Sequence, residues 1–325
     1  MVAALLLVAA GVTFVQYQRQ GDAGPPAGPD DPPSGVQLIY LRDASRSHWV
    51  VAYDWSGARR GSIQLPSWFD VTQLRASPDG SGFMLDPQSV GDYAAYFDRL
   101  GRTRVETDDS AFASQVWAAD ARNVCVLDLT ETGMAVITRS AGSPDRIAHV
   151  VPAPRFPGSG PLTILACSLR NDVAIVQLAT RVLRLKLSSG AVQADVDLGA
   201  DTVVASSDGA YIAAGSTSSD SAPIYRTSDL TSPVAVLAAS VAPLAFSGDD
   251  SSLLTSAPLA GGSTLRVIDW RTGKATWSRG LTTPFGPWMA RPSSQEFVIA
   301  VGGGAALIAR RDGTTTVLTG DHIAW

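Results

Sequence analysis

From Val36 to the carboxyl end, apolar positions come in short runs of Val, Ile, Leu and Ala, broken by clusters of Gly, Ser, Asp and Pro. No segment sustains the 3.6-residue period of a helix, so the pattern predicts strands and turns throughout. One unit recurs: an apolar strand, a tight polar turn and a second apolar strand. Its copies are LRASPDGSGFML at 74–85, VWAADARNVCVL at 116–127, LACSLRNDVAIV at 165–176, VASSDGAYIAAG at 204–215, AFSGDDSSLLTS at 245–256 and MARPSSQEFVIA at 289–300. Aligned on Asp79, the anchors are Asp120, Leu169, Asp208, Asp249 and Ser293, with steps of 41, 49, 39, 41 and 44 residues. A second unit falls between them: AYDWSGAR at 52–59, YFDRLGRT at 96–103, LKLSSGAV at 185–192, VIDWRTGK at 267–274 and IARRDGTT at 308–315. Each is a strand ending in a polar turn with Gly, the residue that takes positive φ at low cost.

A period of about 40–45 residues is the length of one four-stranded propeller blade. Each blade then reads as strand A, a Ser-Pro-Asp-Gly-type turn, strand B, a loop, strand C, a Gly turn and strand D. The first run, VQLIYLR from Val36, has the pattern of a strand B, so blade 1 lacks a strand A. HIAW at 322–325 has the pattern of a strand A with no turn after it. The two ends complement each other, and pairing them would remove the exposed edges of an open sheet. The expected fold is all-β: a seven-bladed β-propeller of four-stranded blades, closed by the C-terminal strand in blade 1, after an N-terminal membrane or signal segment.

The ASPDG turn, the IDWRTG strand end and the repeat length resemble the WD-repeat, YVTN and TolB-like bacterial propeller families over residues 36–325. The Gly-His dipeptide of WD repeats is missing from most blades; only Gly320-Asp321-His322 is similar to it. TolB's separate amino-terminal domain has no counterpart here. VIDWRTGKATW at 267–277 also resembles the docking pattern of quinoprotein propellers, with Asp269, Gly273, Lys274 and Trp277 in register. The resemblance implies that Trp277 packs on the next blade while Asp269 and Gly273 shape the turn. Because a single blade carries the full pattern, it reads as a packing device and not as a cofactor signature.

Residues 1–15 carry no charge. As a helix, residues 1–17 would span about 25 Å, slightly under the ~30 Å hydrocarbon core of a bilayer. Residues 1–18 are therefore expected to be a signal peptide or a membrane anchor; Val8-Ala9-Ala10 has the small residues that a signal peptidase accepts. Residues 19–35 follow as a linker, with five Pro and four Gly between 20 and 35. At ~3.1 Å per residue an extended linker of this length would hold the body about 50 Å away. The propeller fills 36–325, and the expected location is extracytoplasmic, either anchored or secreted.

Net charge is −5, which argues against nucleic acid as a partner, since a phosphate backbone calls for a basic face. Cys125 and Cys167 both lie in apolar strand-like runs, as two buried free thiols or as a disulfide, which an oxidising compartment would allow. No G-x-S-x-G elbow, phosphate loop, H-E-x-x-H or EF-hand loop occurs. The histidines, His48, His149 and His322, fall in different blades without ligand spacing. The acidic pairs Asp30-Asp31, Asp108-Asp109 and Asp249-Asp250 read as solvated linker or turn residues. The adjacent cysteine pair of quinoprotein dehydrogenases is missing. No catalytic residue, cofactor or metal is expected.

In a propeller the A–B and C–D turns share one face, and the B–C and D–A connections share the other. Here the first set is tight. The long Pro- and Gly-rich connections are of the second kind, at 66–70, 86–92, 152–161, 215–222, 256–263 and 281–287. They carry Trp68, Phe69, Arg155, Phe156 and Phe285, with Trp288 just after the last of them, and Arg with aromatics is a common hot-spot composition. These six are the candidate binding residues. The expectation is a non-enzymatic binding scaffold of the cell envelope, holding a protein or glycan. The alternative is a propeller enzyme, either a lactonase-like hydrolase or a quinone-dependent oxidoreductase.

Overall fold

The computed structural model describes residues 37–324 except 44–45, 47, 66–72, 87–93, 99–102, 108–111, 131–132, 141–145, 153–161, 216–220, 239–240, 303 and 320–322. The regions expected to be anchor and linker, 1–18 and 19–35, lie outside the described residues. Among the described residues there are strands and no helix. They form seven four-stranded antiparallel sheets, each a blade.

Blade 1 holds β1 (Leu38–Asp43), β2 (Trp49–Asp54) and β3 (Arg59–Gln64). Blade 2 holds β4 (Gln73–Ala76), β5 (Gly82–Asp86), β6 (Ala94–Asp98) and β7 (Thr103–Thr107). Blade 3 holds β8 (Phe112–Trp117), β9 (Asn123–Thr130), β10 (Gly133–Ser140) and β11 (Arg146–Pro152). Blade 4 holds β12 (Leu162–Ser168), β13 (Val173–Leu178), β14 (Arg181–Lys186) and β15 (Val192–Asp197). Blade 5 holds β16 (Thr202–Ala205), β17 (Tyr211–Gly215), β18 (Ser221–Arg226) and β19 (Asp229–Ala238). Blade 6 holds β20 (Ala242–Phe246), β21 (Ser252–Leu259), β22 (Gly262–Asp269) and β23 (Lys274–Leu281). Blade 7 holds β24 (Phe285–Ala290), β25 (Phe297–Val301), β26 (Ala305–Ala309) and β27 (Thr315–Thr319). The last element, β28 (Ile323–Ala324), lies beside β1 with Arg42 opposite Ala324 and Asp43 opposite Ile323.

Period-2 alternation turns these sheets into a ring. Successive side chains of a strand point to opposite faces, so each blade has two apolar faces to bury. On β1, Leu38 and Tyr40 join a buried cluster with Phe83, Leu85 and Phe97 of blade 2. Ile39, between them, joins one with Val298, Ala306, Ile308 and Leu318 of blade 7. The described core is seven such clusters, one at each seam between neighbouring blades, the seam of the last blade with the first included. A fully buried Leu, Ile or Phe contributes roughly 1.5–3 kcal/mol, so the seams hold the ring together.

Trp277 sits as the quinoprotein-like pattern implies. It is buried among residues of blade 7, and its Nε1 donates to Thr315 Oγ1 at 2.9 Å. Asp269 accepts the N–H groups of Arg271 and Thr272, and Gly273 takes φ +70°.

The two cysteines form a disulfide, which decides between the two readings open in the sequence. Cys125 on β9 of blade 3 joins Cys167 on β12 of blade 4, with Cα atoms 6.2 Å apart, inside the range a disulfide spans. Both residues are fully buried in the seam.

The connection expected at 256–263 is not a loop. β21 and β22 stay paired from Ser256–Leu265 out to Leu259–Gly262, and Gly261 at φ +78° makes the reversal. Pro258, which read as a loop marker, is carried within β21. The connection at 281–287 is likewise short, because β23 runs to Leu281 and β24 begins at Phe285.

Candidate interaction face

The A–B and C–D turns lie on one face, the turn face, and most of its described carboxylates, with Asp250 the exception, are bound within their own turns. In three A–B turns the same relay recurs. Ser77 donates to Asp79 and accepts from the Gly82 N–H; Ser206 does so with Asp208 and Tyr211; Ser247 with Asp249 and Ser252. This is why Ser-x-Asp repeats: the hydroxyl satisfies the turn's backbone and the carboxylate orients the hydroxyl. Neighbouring turns are also tied across seams. Tyr40 Oη donates to Gly80 O at 2.9 Å, Ala119 N to Cys167 O at 2.9 Å, Asn171 Nδ2 to Asp208 O at 3.1 Å and Gln295 Nε2 to Ser251 Oγ at 2.6 Å.

The C–D turn of blade 1 follows the same economy. Asp54 is buried, and burial alone would raise its pKa. Hydrogen bonds from Ser56 Oγ, Arg60, Ala58 N and Ser56 N outweigh that and hold it at about 2. Beside it, a network closes the seam with blade 7. Arg310 donates to the Trp55 carbonyl at 2.9 Å and pairs with Glu296, which also pairs with Arg291. Arg291 lies over the Trp55 ring, 5.7 Å from its centroid.

Asp249 and Asp250 part company. Asp249 is exposed, and its pKa is lowered: burial works against the hydrogen bonds from Ser247 and Ser251 and loses. Asp250 is not the solvated turn residue its sequence context suggests. Its Oδ1 is buried with no hydrogen-bond partner, and its pKa is raised to about 7 by burial and by the negative charges of Asp208 and Asp249.

The opposite, loop face carries the B–C and D–A connections. Of the six candidate binding residues, Trp68, Phe69, Arg155 and Phe156 lie outside the described residues. Phe285 and Trp288 are described, and both belong to β24. Their rings are 6.4 Å apart, they pack against the core between blades 6 and 7, and Trp288 Nε1 donates to Leu244 O at 3.0 Å. Their packing thus serves the seam, and they are not gathered into one patch with a second described aromatic loop.

The described loop face does hold an Arg–aromatic pair that the sequence reading passed over. Arg46, in the short B–C connection of blade 1, stacks 4.2 Å over the Trp49 ring. Its Nε donates to Asp43 Oδ2 at 2.8 Å, and its Nη2 does so at 2.5 Å. Asp43 is fully buried while the Arg46 side chain is 42% exposed, so a buried carboxylate orients an exposed guanidinium. The signal was Arg46-x-x-Trp49 after Asp43. The stretch 43–48 has neither the length nor the Pro and Gly of the other connections.

His48 precedes β2 and His149 lies on β11, in different blades; His322 lies outside the described residues. Among the described residues no group of three His, Cys, Asp or Glu could hold a metal ion.

The sequence matches no family model and no curated protein. Solved structures do match. KlAtg21, in complex with the coiled coil of AgAtg16, is 9% identical with a TM-score of 0.61, over 90% of this chain and 98% of that one. A functionally unknown protein from Desulfotomaculum acetoxidans is 12% identical with a TM-score of 0.59, over 89% and 95%. The β-propeller domain of Myceliophteria thermophila Cps50 (Swd1) is 12% identical with a TM-score of 0.55, over 83% and 94%. At such identities the likeness is one of fold, and the fold is an all-β propeller of seven blades.

Proposed function

We propose that this chain is an exported, membrane-tethered propeller that binds an envelope protein or glycan through its loop face and performs no catalysis. The observation that carries the reading is the contrast between the faces. The described turn-face carboxylates Asp54, Asp79, Asp208 and Asp249 are occupied within their own turns, whereas the loop face presents Arg46 on Trp49, held out by a buried Asp43. Arg with an aromatic ring is the composition of binding hot spots, and loops on a rigid scaffold are where binding residues concentrate. Trp68, Phe69, Arg155 and Phe156 would extend this patch, with Phe285 and Trp288 at the blade 6–7 rim. The complex of KlAtg21 with a coiled coil is an instance of this fold with a protein partner.

Export is supported by the Cys125–Cys167 disulfide, since such bonds persist in oxidising compartments. It fits a layout of anchor or signal at 1–18, linker at 19–35 and propeller at 36–325, akin to bacterial YVTN and TolB-like proteins. The pairing of β28 with β1 supports closure of the ring by the C-terminal strand.

Crosslinking in intact envelopes followed by pull-down tests the reading. Trp68→Ala, Phe69→Ala, Phe156→Ala and Arg46→Lys should each weaken capture, by about 1–2 kcal/mol for a hot spot. Lys keeps a charge near Asp43 but loses the planar stack. Capture that depends on Asp79 or Asp208 and ignores all four loop-face changes would put the site on the turn face. A fused reporter active only outside the cytoplasm should be active.

A further inference from the structure

The seam between blades 5 and 6 contains an acidic group at a left-handed turn position that holds glycine at Gly80 and Gly209 and alanine at Ala121. Asp250 takes φ +56°, and its N–H closes the turn on Ser247 O at 2.9 Å. Gly80 and Gly209 close their turns in the same way, on Ser77 O and Ser206 O. A Cβ at Gly80 would come 2.8 Å from Leu38 N of blade 1, and one at Gly209 would come 3.1 Å from Val173 Cγ1 of blade 4. At this turn position, then, a side chain is aimed at the start of strand B in the preceding blade. For Asp250 that strand is β17, whose first residue, Tyr211, holds the register position of Leu38 and Val173.

The surroundings match that aim. The Tyr211 and Trp270 rings are 5.1 Å apart across the seam, and Trp270 Nε1 donates to the Asp250 carbonyl at 2.8 Å. One carboxyl oxygen, Oδ1, is buried without a hydrogen-bond partner. The charged groups acting on it are Asp208 from blade 5 and Asp249 and Arg271 from blade 6. Arg271 stacks on Trp270, 4.2 Å from the ring centroid, and its charge only partly offsets the two carboxylates. A carboxylate here is desolvated, repelled by two neighbours and short of a donor, whereas a neutral acid is free of the charge penalty.

We propose that Asp250 is a proton-operated latch on the blade 5–6 seam: as the neutral acid it lets the two blades close, and as the carboxylate it loosens them at the turn face. The inference does not depend on export or on any partner. Its direction follows from linkage. The folded-state pKa, about 7, lies above that of an unfolded Asp. The stabilisation by the neutral acid is therefore complete below about pH 4, declines as pH rises, and is gone once pH passes about 7. Local loosening, which depends on the folded state alone, has its midpoint near 7.

The test compares the full chain with Asp250→Asn, Asp250→Gly and Asp208→Asn. Thermal midpoints are read from pH 4 to 9, and amide exchange at 247–252 and 268–271 is corrected for the intrinsic pH dependence. The difference in midpoint between Asp250→Asn and the natural protein should be near zero at pH 4, grow to pH 7 and level off. Exchange in the two segments should rise through pH 7 in the natural protein and stay flat in both Asp250 variants. Asp208→Asn removes a like charge and should move the exchange midpoint to lower pH. Parallel pH profiles for the natural protein and Asp250→Asn, or an exchange step that survives in Asp250→Gly, would overturn the proposal. Asp250→Gly restores the residue found at Gly80 and Gly209, so it guards against a result due to misfolding of the Asn variant.

Discussion

Breaking the Cys125–Cys167 bond should destabilise the ring by an amount set mainly by the length of chain it closes. The separation is 42 residues, for which the loop-closure model gives about 4 kcal/mol at 25 °C. Native contacts in the blade 3–4 seam survive reduction, so the loss arises in the unfolded chain, which gains freedom. Both sulfurs are buried, and a reductant reaches them only when the seam opens. Urea unfolding should therefore be run to equilibrium with and without a phosphine reductant. With a slope of ~3 kcal/mol/M, the midpoint should fall by about 1 M. The pair Cys125→Ala, Cys167→Ala should fall at least as far, since it adds a small cavity to the lost cross-link. Alkylation and mass measurement on unfolded, unreduced protein should find no free thiol. Two alkylated cysteines in protein purified under air, or equal urea midpoints with and without reductant, would refute the assignment and remove the disulfide as support for an oxidising compartment.

Other consequences can be checked on the same protein. Deleting 321–325 removes the two register pairs Arg42–Ala324 and Asp43–Ile323; at about 0.5–1.5 kcal/mol per hydrogen bond the cost should be roughly 1–3 kcal/mol. The ring should stay closed meanwhile, because Ile39, Val51, Val298 and Ile308 still hold the blade 7–1 core; an unchanged thermal midpoint would count against β28 as a closing strand. Trp277→Ala should cost about 3–5 kcal/mol in denaturant unfolding, and Trp277→Phe about 1 kcal/mol, for the lost bond to Thr315. Asp54, held at about 2 in the fold, adds stability that is present above its unfolded pKa and is lost as pH falls from about 4 to 2. Asp54→Asn should accordingly flatten the acid limb of the melting curve in that window; an unaltered limb would show that the four hydrogen bonds do not favour the charged form.

What could be read along the chain was everything local and periodic. Strands A and B were found through turns such as Ser77-Pro78-Asp79-Gly80, because a tight turn must supply its own hydrogen bonds from residues two to five apart. Strand alternation was legible for the same reason: one-residue steps on β1 send Leu38 and Ile39 to different seams. The repeat length then allowed the blades to be counted. Trp277 was legible too, as a docking residue, because its turn partners Asp269 and Gly273 are neighbours in sequence.

What depends on the ring closing on itself was not legible. Cys125 and Cys167 are separated by one blade length, yet only the packing of β9 against β12 says that the two thiols meet. Ala260-Gly261 and Pro258 look like a loop in a list of residues, but β21 and β22 find enough partners to stay paired to the turn. Phe285 and Trp288 look like loop aromatics until Leu244 and the blade 6–7 core are set beside them. Arg46 gains its role only when Asp43, buried at the end of β1, turns it onto Trp49. Asp249 and Asp250 are identical in type and adjacent in sequence, and the tertiary structure alone separates them. Asp249 faces water and its own turn, while Asp250 is directed by a left-handed backbone toward the preceding blade, where water is displaced and Asp208 lies nearby. Local hydrogen bonding needs only short sequence, whereas desolvation is a property of what other parts of the chain bring near.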